Sequence, residues 1–117
     1  MSKQRLKVEV VGDVAVVTFL DKRILDEPTI QAIAEQLFSL VENDGRRKLQ
    51  LDFNGVEYMS SAALGKLINL HKKLQALKGQ LAMCNVIPQI YEVFAITKLD
   101  KIFKIYPDVD TALASFK

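Results

Sequence analysis

The sequence has no tryptophan, a single cysteine and a single histidine. One cysteine excludes an internal disulfide bond, and Cys84 and His71 alone cannot supply the ligands of a structural metal site. Cys84 lies in the apolar stretch 81–84, where a cysteine usually behaves as a small buried hydrophobe. His71 falls close to a stripe of leucines, which favours a packed or rim histidine over a catalytic one. We therefore expect neither a metal nor a cofactor.

Long hydrophobic runs are also missing. No apolar run approaches the roughly 20 residues that a membrane span needs. Residues 1–5 lack the apolar core of a signal peptide. Together with the shortage of cysteine, these absences predict a protein of the reducing cytoplasm with no direct membrane insertion.

The chain lacks a strong excess of charge of either sign. Sixteen lysines and arginines stand against 14 acidic residues, which gives a formal net charge of +2 and a pI of about 8.7. The densest basic group, residues 46–48, follows a predicted helix, whose C-terminus attracts cations. Because the basic residues form no stripe, we predict no nucleic-acid partner.

Catalytic motifs are missing too. Gly55 and Gly65 are too far apart for a phosphate-binding loop. No Gly-x-Ser-x-Gly elbow surrounds Ser60 or Ser61. The acidic residues are scattered, mostly at predicted helix starts and on polar faces. The sequence therefore predicts that the protein is not an enzyme.

What the chain does contain is enough apolar material for a core. Half of its 117 residues are hydrophobic and 26% are charged, as is typical of a globular protein. A chain of this length buries roughly two-thirds of its unfolded surface. Since no linker, repeat or low-complexity tract interrupts it, we predict a single domain spanning residues 1–117.

Apolar spacing predicts the order strand, strand, helix, strand, helix, strand, helix, strand, helix. Strands are expected near residues 6–10, 14–19, 48–53, 81–86 and 102–105. In the first strand, Leu6, Val8 and Val10 alternate with charged residues, which predicts a half-buried strand. Helices are expected from residues 26–28, from Ser61 to about Leu77, from Pro88 and from residues 107–108. The buried faces of the second and fourth helices are expected to consist of Leu64, Leu67, Leu70, Leu74 and Leu77, and of Val109, Ala112, Leu113 and Phe116.

This order predicts an α/β fold with a mixed, mostly parallel sheet of about five strands and about four helices. The turn at residues 12–13 joins the first two strands in an N-terminal hairpin. Right-handed crossovers connect the remaining strands. Such a sheet binds partners near the carboxyl ends of its strands.

The segment from residue 51 to residue 65 carries the most information about function. A strand ends at Phe53, and helical spacing begins at Leu64, so Ser60 and Ser61 fall at a helix N-terminus. A hydroxyl there can cap the helix, which on its own implies no function. The same unpaired N–H groups can also hold a phosphate. Plain capping and phosphorylation are therefore both open from these residues.

The loop resembles the signature of STAS domains, the anti-sigma factor antagonists of bacteria. The resemblance rests on Val56-x-Tyr58-Met59-Ser60-Ser61-Ala62-Ala63-Leu64-Gly65 after the strand end Leu51-Asp52-Phe53, and on Ile24-Leu25-Asp26 before the first helix. Phosphorylated members read Asp-Ser-Ser/Thr-Gly-Leu-Gly in this loop. Carried over by position, the resemblance implies that Ser61 is the phosphoacceptor and that Ser60 stands in place of the aspartate, which makes Ser60 an alternative acceptor.

The resemblance implies a phosphorylation-controlled binding protein with a STAS-like fold. Its unphosphorylated form would bind an anti-sigma factor that is also a serine kinase of the GHKL type, and so release the sigma factor. Phosphorylation would end the interaction, and a PP2C-type phosphatase would restore it. The partner-binding residues would be Asp26, Tyr58, Met59, Ser60, Ser61, Ala62, Ala63 and Leu64.

Two other functions remain open from the sequence. The chain could be a STAS scaffold subunit that is not phosphorylated and docks on another protein, such as a lipid-transport ATPase. It could also be an enzyme or nucleotide-binding protein of flavodoxin-like topology, although no glycine-rich loop supports that function.

Overall fold

The computed structural model describes residues 4–116. Its helices are α1 Glu27–Glu42, α2 Ser61–Ala76, α3 Pro88–Ile96 and α4 Val109–Ser115. Its strands are β1 Leu6–Val11, β2 Val14–Phe19, β3 Arg23–Ile24, β4 Lys48–Asp52, β5 Tyr58–Met59, β6 Gln80–Cys84 and β7 Lys104–Tyr106. A 3-10 turn, Leu99–Lys101, precedes β7.

The main sheet has five strands in the order β1-β2-β4-β6-β7. β1 and β2 form an antiparallel hairpin, and the other three neighbouring pairs are parallel. The predicted fold class is therefore confirmed. The carboxyl ends of β2, β4 and β6 lie at one end of this sheet, where α2 begins.

Two short strands were not predicted. β3 and β5 pair in parallel as a separate two-stranded sheet, with Arg23 opposite Tyr58 and Ile24 opposite Met59. Tyr58 and Met59 therefore belong to a strand, although the sequence indicates only a loop there. The expected last strand also starts later, because Phe103 is buried beside the 3-10 turn and Ile102 is exposed.

The prediction of a half-buried first strand is wrong for most of β1. Leu6 is buried, but 37% of Val8 and 47% of Val10 are exposed. β1 is the outermost strand of the sheet, so the helical layer that buries β2 covers β1 only at Leu6. The alternation of apolar and charged residues correctly indicated a strand, but it could not show where the helical layer ends.

The main core lies between one face of the sheet and helices α1, α2 and α3. Its largest fully buried side chains include Leu37, Leu51, Phe53, Leu70 and Phe94. The leucine stripe of α2 is buried as expected as far as Leu74. Leu77 is 39% exposed, because it is the residue that follows the last turn of the helix.

The other face of the sheet is covered by α4. The side-chain amide of the buried Gln50 donates to the carbonyl of Val109 at 3.2 Å, which ties this helix to β4. Of the residues predicted to face inward, Ala112 is fully buried, whereas Val109, Leu113 and Phe116 are half-buried. A helix of seven residues is too short to exclude water along its whole face.

Candidate functional site

The two serines lie at the N-terminus of α2, as expected, and they occupy different positions. Ser60 is the N-cap residue, with extended backbone angles, and its Oγ accepts a hydrogen bond from the Ala63 N–H at 3.3 Å. Ser61 is the first residue of the helix. Since the Ser60 hydroxyl already satisfies one N–H group of the helix terminus, Ser60 serves as the cap.

The small sheet of β3 and β5 holds this helix start in place. The Ser60 N–H donates to the Ile24 carbonyl at 3.0 Å, and the Glu57 N–H donates to the Lys22 carbonyl at 2.7 Å. These bonds join the residues before α2 to the residues before α1. The serine loop is therefore fixed by backbone pairing on both sides of Tyr58 and Met59.

Exposure distinguishes the two hydroxyl groups. Ser61 and Ala62 are exposed, whereas Ser60 is half-buried. The first turn of α2 contains no acidic residue, so nothing in that turn offsets the positive end of the helix dipole. By helix geometry the N–H groups of Ser61 and Ala62 have no carbonyl partner within the helix. The site therefore presents an accessible hydroxyl in a locally positive environment.

Two of the expected partner contacts are not at the surface. Ala63 is 5% exposed and Leu64 is 4% exposed, because both lie on the face of α2 that packs into the core. They support the loop from below, and Leu64 also lies in the floor of the groove beside Tyr58 and Met59. Their role in partner binding stays a prediction, and their burial leaves little of either side chain for direct contact.

Tyr58 and Met59 flank the serines on the other side. Tyr58 is 50% exposed, and the guanidinium carbon of Arg23 lies 4.7 Å from the centre of its ring. This cation–π contact holds an aromatic side chain at the surface. Met59 is half-buried and packs against the core. The pair thus offers one rigid aromatic contact and one adaptable apolar contact.

A shallow groove runs between β5 and α3, next to the serine loop. It is lined by Glu57, Tyr58, Met59, Leu64, Gln89, Ile90 and Val93. Beside it, α3 exposes apolar side chains, with Val93 37% and Ile96 74% exposed. Exposed apolar residues grouped in this way are typical of binding sites.

The contribution of α3 was missed by the sequence analysis. Only Ile90 and Phe94 of this helix are buried, yet its sequence is apolar nearly all round. A helix that is apolar on every side is expected to be buried on every side. A helix of only nine residues cannot be covered on every side, so this pattern was the signal in the sequence for a second, exposed apolar face.

Asp26 is the N-cap residue of α1. Its Oδ2 accepts from the Thr29 hydroxyl at 2.9 Å and from the Thr29 N–H at 3.1 Å. These bonds, that from the hydroxyl first, lower the pKa of Asp26 below its ordinary value. Asp26 is therefore an ionised cap of α1 two residues after Ile24, which pairs with the serine loop.

Within the described part of the chain, Cys84 and His71 are both packed against other side chains. Burial, with a smaller effect of the Asp52 carboxylate, raises the pKa of the Cys84 thiol to about 11, so Cys84 is not a nucleophile at neutral pH. His71 packs edge-on against Phe103 with ring centres 5.8 Å apart. Among residues 4–116 no group of three or more His, Cys, Asp or Glu side chains could hold a metal. No helix in that range is long and apolar enough to cross a membrane.

Comparison with known proteins assigns this arrangement to a family. The family model for the STAS domain matches residues 5–112. The chain belongs to the STAS domain family. STAS relatives of this kind are regulatory binding proteins rather than typical enzymes, which agrees with a site that presents a hydroxyl and an apolar groove.

The relatives share both sequence and fold with this STAS domain. BtrV of Bordetella bronchiseptica, a candidate anti-sigma factor antagonist, is 29% identical over 94 residues, which cover 80% of each chain. An anti-sigma factor antagonist from Mycobacterium paratuberculosis has a TM-score of 0.82 and 29% identity, covering 94% of this chain and 91% of its own. An anti-sigma-factor antagonist (STAS) domain protein from Planctomyces limnophilus has a TM-score of 0.84 and 26% identity, covering 97% and 98%.

Proposed function

We propose that this STAS domain is an anti-sigma factor antagonist that is switched off by phosphorylation of Ser61. In its unphosphorylated form it binds an anti-sigma factor that is also a GHKL-type serine kinase, and so frees the sigma factor. A PP2C-type phosphatase reverses the modification. Such partners place the protein in the cytoplasm. The observation that carries this proposal is the exposed Ser61 hydroxyl on the first residue of α2, beside an exposed apolar groove.

The choice of Ser61 over Ser60 follows from their different positions. A kinase must reach the hydroxyl oxygen, and Ser61 is exposed whereas Ser60 is half-buried. The Ser60 Oγ is also engaged in capping Ala63. Ser60 remains the alternative acceptor, because a phosphate on a cap residue could still accept from the same N–H groups.

The proposed switch works through local charge. A phosphate adds roughly 1.5 to 2 negative charges at pH 7. At the N-terminus of α2 the helix dipole favours that charge by about 0.3–1 kcal/mol, so the fold need not change. A partner packed against the neutral loop would instead bury an unpaired dianion, which costs several kcal/mol. Since each 1.4 kcal/mol is about tenfold in affinity, the available change is a few orders of magnitude.

We propose that the contact surface combines the serine loop with the groove. Tyr58 and Met59 supply the apolar contacts next to Ser61. Tyrosine and methionine are both enriched at protein interfaces, and the flexible methionine side chain adapts to different partner surfaces. Val93 and Ile96 of α3 extend the surface beyond the residues expected from the sequence. The partner then contacts Ser61 and α3 in one interface. A phosphate on Ser61, at one edge of this interface, therefore weakens binding of the whole surface.

The acceptor assignment is tested by incubating the protein with a candidate GHKL-type serine kinase and ATP. Intact mass should show one added phosphate, and fragmentation should place it on Ser61. Ser61→Ala should abolish the addition, whereas the matched control Ser60→Ala should retain it. If fragmentation places the phosphate on Ser60 instead, the alternative acceptor is supported.

The binding step is tested separately. Ser61→Glu should weaken binding to the same kinase by at least tenfold, whereas Ser61→Ala should bind like the unmodified chain. If the phosphorylated protein keeps full affinity for its kinase partner, the switch mechanism is wrong.

A second candidate function is a scaffold that docks on another protein, such as a lipid-transport ATPase, without being phosphorylated. The exposed apolar face of α3, where Ile96 is 74% exposed, favours it, because that face needs no modified serine. For such a scaffold, Ile96→Asp would abolish partner binding while Ser61→Glu would leave it unchanged. The phosphorylation proposal requires Ser61→Glu to weaken binding as well, so the effect of Ser61→Glu separates the two functions.

A further inference from the structure

β1 is a regular edge strand of six residues. Within residues 4–116 it pairs with β2 on one side, and it is the last strand of the sheet. Its six residues pair in continuous register without a bulge, and they include no proline. An exposed, regular edge of this kind is a template for another strand. The opposite edge strand, β7, has three residues and is followed by Pro107.

The backbone groups that point outward can be identified. The Leu20 N–H donates to the Arg5 carbonyl at 2.9 Å, so Arg5 and Leu20 form a hydrogen-bonded pair in the hairpin. Alternation along an antiparallel ladder then turns the N–H and C=O groups of Leu6, Val8 and Val10 away from β2. The side-chain amide of Gln4 donates to the Leu6 carbonyl at 2.7 Å, as expected for a carbonyl that faces away from the hairpin.

We propose that this edge pairs with β1 of a second copy of the same chain, in an antiparallel register centred on Val8. Val8 then faces Val8 of the second copy, and Leu6 faces its Val10. The outward groups of Leu6, Val8 and Val10 form about six hydrogen bonds across the two-fold axis, and in each copy the Leu6 carbonyl accepts from the second copy in place of the Gln4 side chain. The two five-stranded sheets join into one continuous sheet.

Charge selects this register. When Val8 faces its copy, Lys7 of each chain lies opposite Glu9 of the other. These are non-hydrogen-bonded pairs, in which side chains are closest and opposite charges stabilise most. A register centred on Lys7 would place two lysines face to face, and one centred on Glu9 would place two glutamates face to face. Like charges directly opposite are destabilising, so both neighbouring registers are disfavoured.

The apolar side of the strand fits the same register. Val8 and Val10, which are 37% and 47% exposed in the single chain, lie on the same face of the sheet as the buried Leu6. Beside them a groove between β1 and α1 is lined in part by Leu6, Val8 and Leu40. In this register the two Val8 side chains would contact each other, and Val10 of the second copy would lie beside Leu6 at the rim of this groove, which gives the exposed valines an apolar partner.

The contact is small and shares no residue with the serine loop or the α3 groove. We therefore expect a weak dimer, with a dissociation constant of about 10 µM to 1 mM, that leaves both copies of Ser61 accessible. The dimer does not depend on the proposed phosphorylation, so either proposal can fail without the other.

Sedimentation velocity of the full chain up to about 1 mM tests the dimer. Lys7→Glu and Glu9→Lys should each raise the dissociation constant by roughly tenfold or more, because each places like charges together at two sites. The double variant, with both charges exchanged, should recover the original value within about threefold. Lys101→Glu, exposed near the opposite edge of the sheet, is the control and should change nothing.

Amide hydrogen exchange at low and high protein concentration provides a second readout. The N–H groups of Leu6, Val8 and Val10 should become more protected as the concentration rises, whereas those of Lys7 and Glu9, which face β2, should not. A chain that stays monomeric at about 1 mM would overturn the proposal. So would a dimer that is indifferent to both single charge reversals, or a double variant that fails to recover.

Discussion

The two adjacent serines show that a shift of one position at a helix N-terminus changes the structural role of a side chain. Ser60 caps α2 through its Oγ, whereas Ser61, one residue later, is exposed on the helix itself. The sequence predicted that both lie at a helix N-terminus, because strand spacing stops and helical spacing starts on either side of them. It could not decide which one is the cap, since helix boundaries are uncertain by one or two residues from pattern alone.

This difference predicts unequal effects on stability. Ser60→Ala should lower the free energy of unfolding by about 0.5–2 kcal/mol, because it removes the acceptor for the Ala63 N–H. Ser61→Ala should change it by less than about 0.5 kcal/mol, as is usual for an exposed site. Urea unfolding followed by circular dichroism measures both. Equal losses from the two variants would contradict the assignment of Ser60 as the cap.

Cys84 provides a test of local protection. Its side chain is fully buried, and burial raises the pKa of its thiol to about 11. At pH 7 to 8 the thiolate fraction is therefore small, and the sulfur is also inaccessible. We expect a disulfide reagent such as Ellman's reagent to react with native protein only as fast as it unfolds, and with urea-denatured protein within seconds to minutes. Fast reaction of the native chain would contradict this.

Between secondary-structure elements, the least predictable feature was the small sheet that fixes the serine loop. β3 and β5 have two residues each, which is too few to show an alternation of apolar and polar residues in the sequence. They exist because residues 22–24 and 57–60 meet in space and exchange backbone hydrogen bonds. By contrast, α1 and α2 were predicted well, because each has a cap and a long apolar stripe.

In the turn from α2 into β6, the residue with left-handed backbone angles is not the glycine. Two substitutions, at Lys78 and at Gly79, test the separate roles of these residues. The left-handed residue is Lys78, with φ of 61°, whereas Gly79 is required for space, because a Cβ there would lie 2.5 Å from the Arg47 carbonyl oxygen. Lys78→Gly should raise the free energy of unfolding by about 0.5–1 kcal/mol. Gly79→Ala should lower it by at least about 1 kcal/mol. Denaturant midpoints measure both, and the opposite pair of signs would refute the assignment.

At the scale of the whole domain, the burial of an apolar residue depends on which faces of the sheet and of each helix are covered. The sequence could not show this coverage. Val8 and Val10 look like core residues of a strand, and Tyr91 and Ile96 look like core residues of a helix, yet all four are exposed. Their burial is decided by the extent of the neighbouring layer, which is a property of the assembled fold. The apolar groove beside Ser61 has the same origin, so its α3 wall was found only in the structure.

The acid sensitivity of the complete fold follows from its helix caps and one surface ion pair. Among the described residues, Asp13, Asp26 and Asp108 have pKa values below the ordinary 3.8, lowered first by bonds from Lys48, from the Thr29 hydroxyl and from the Thr111 N–H. A carboxyl whose pKa is lower in the folded state stabilises the fold above its unfolded pKa. That stabilisation is lost as the pH falls through the folded pKa.

We therefore expect the urea midpoint to be flat from pH 7 to about 5 and to fall steadily below about pH 4. Asp26→Asn keeps a cap side chain that can accept from Thr29 but does not titrate, so its midpoint should fall less steeply over the same range. Asp44→Asn, at an exposed acid after α1, is the matched control and should keep the original slope. An unchanged slope in Asp26→Asn would show that the Asp26 cap does not contribute to the loss of stability in acid.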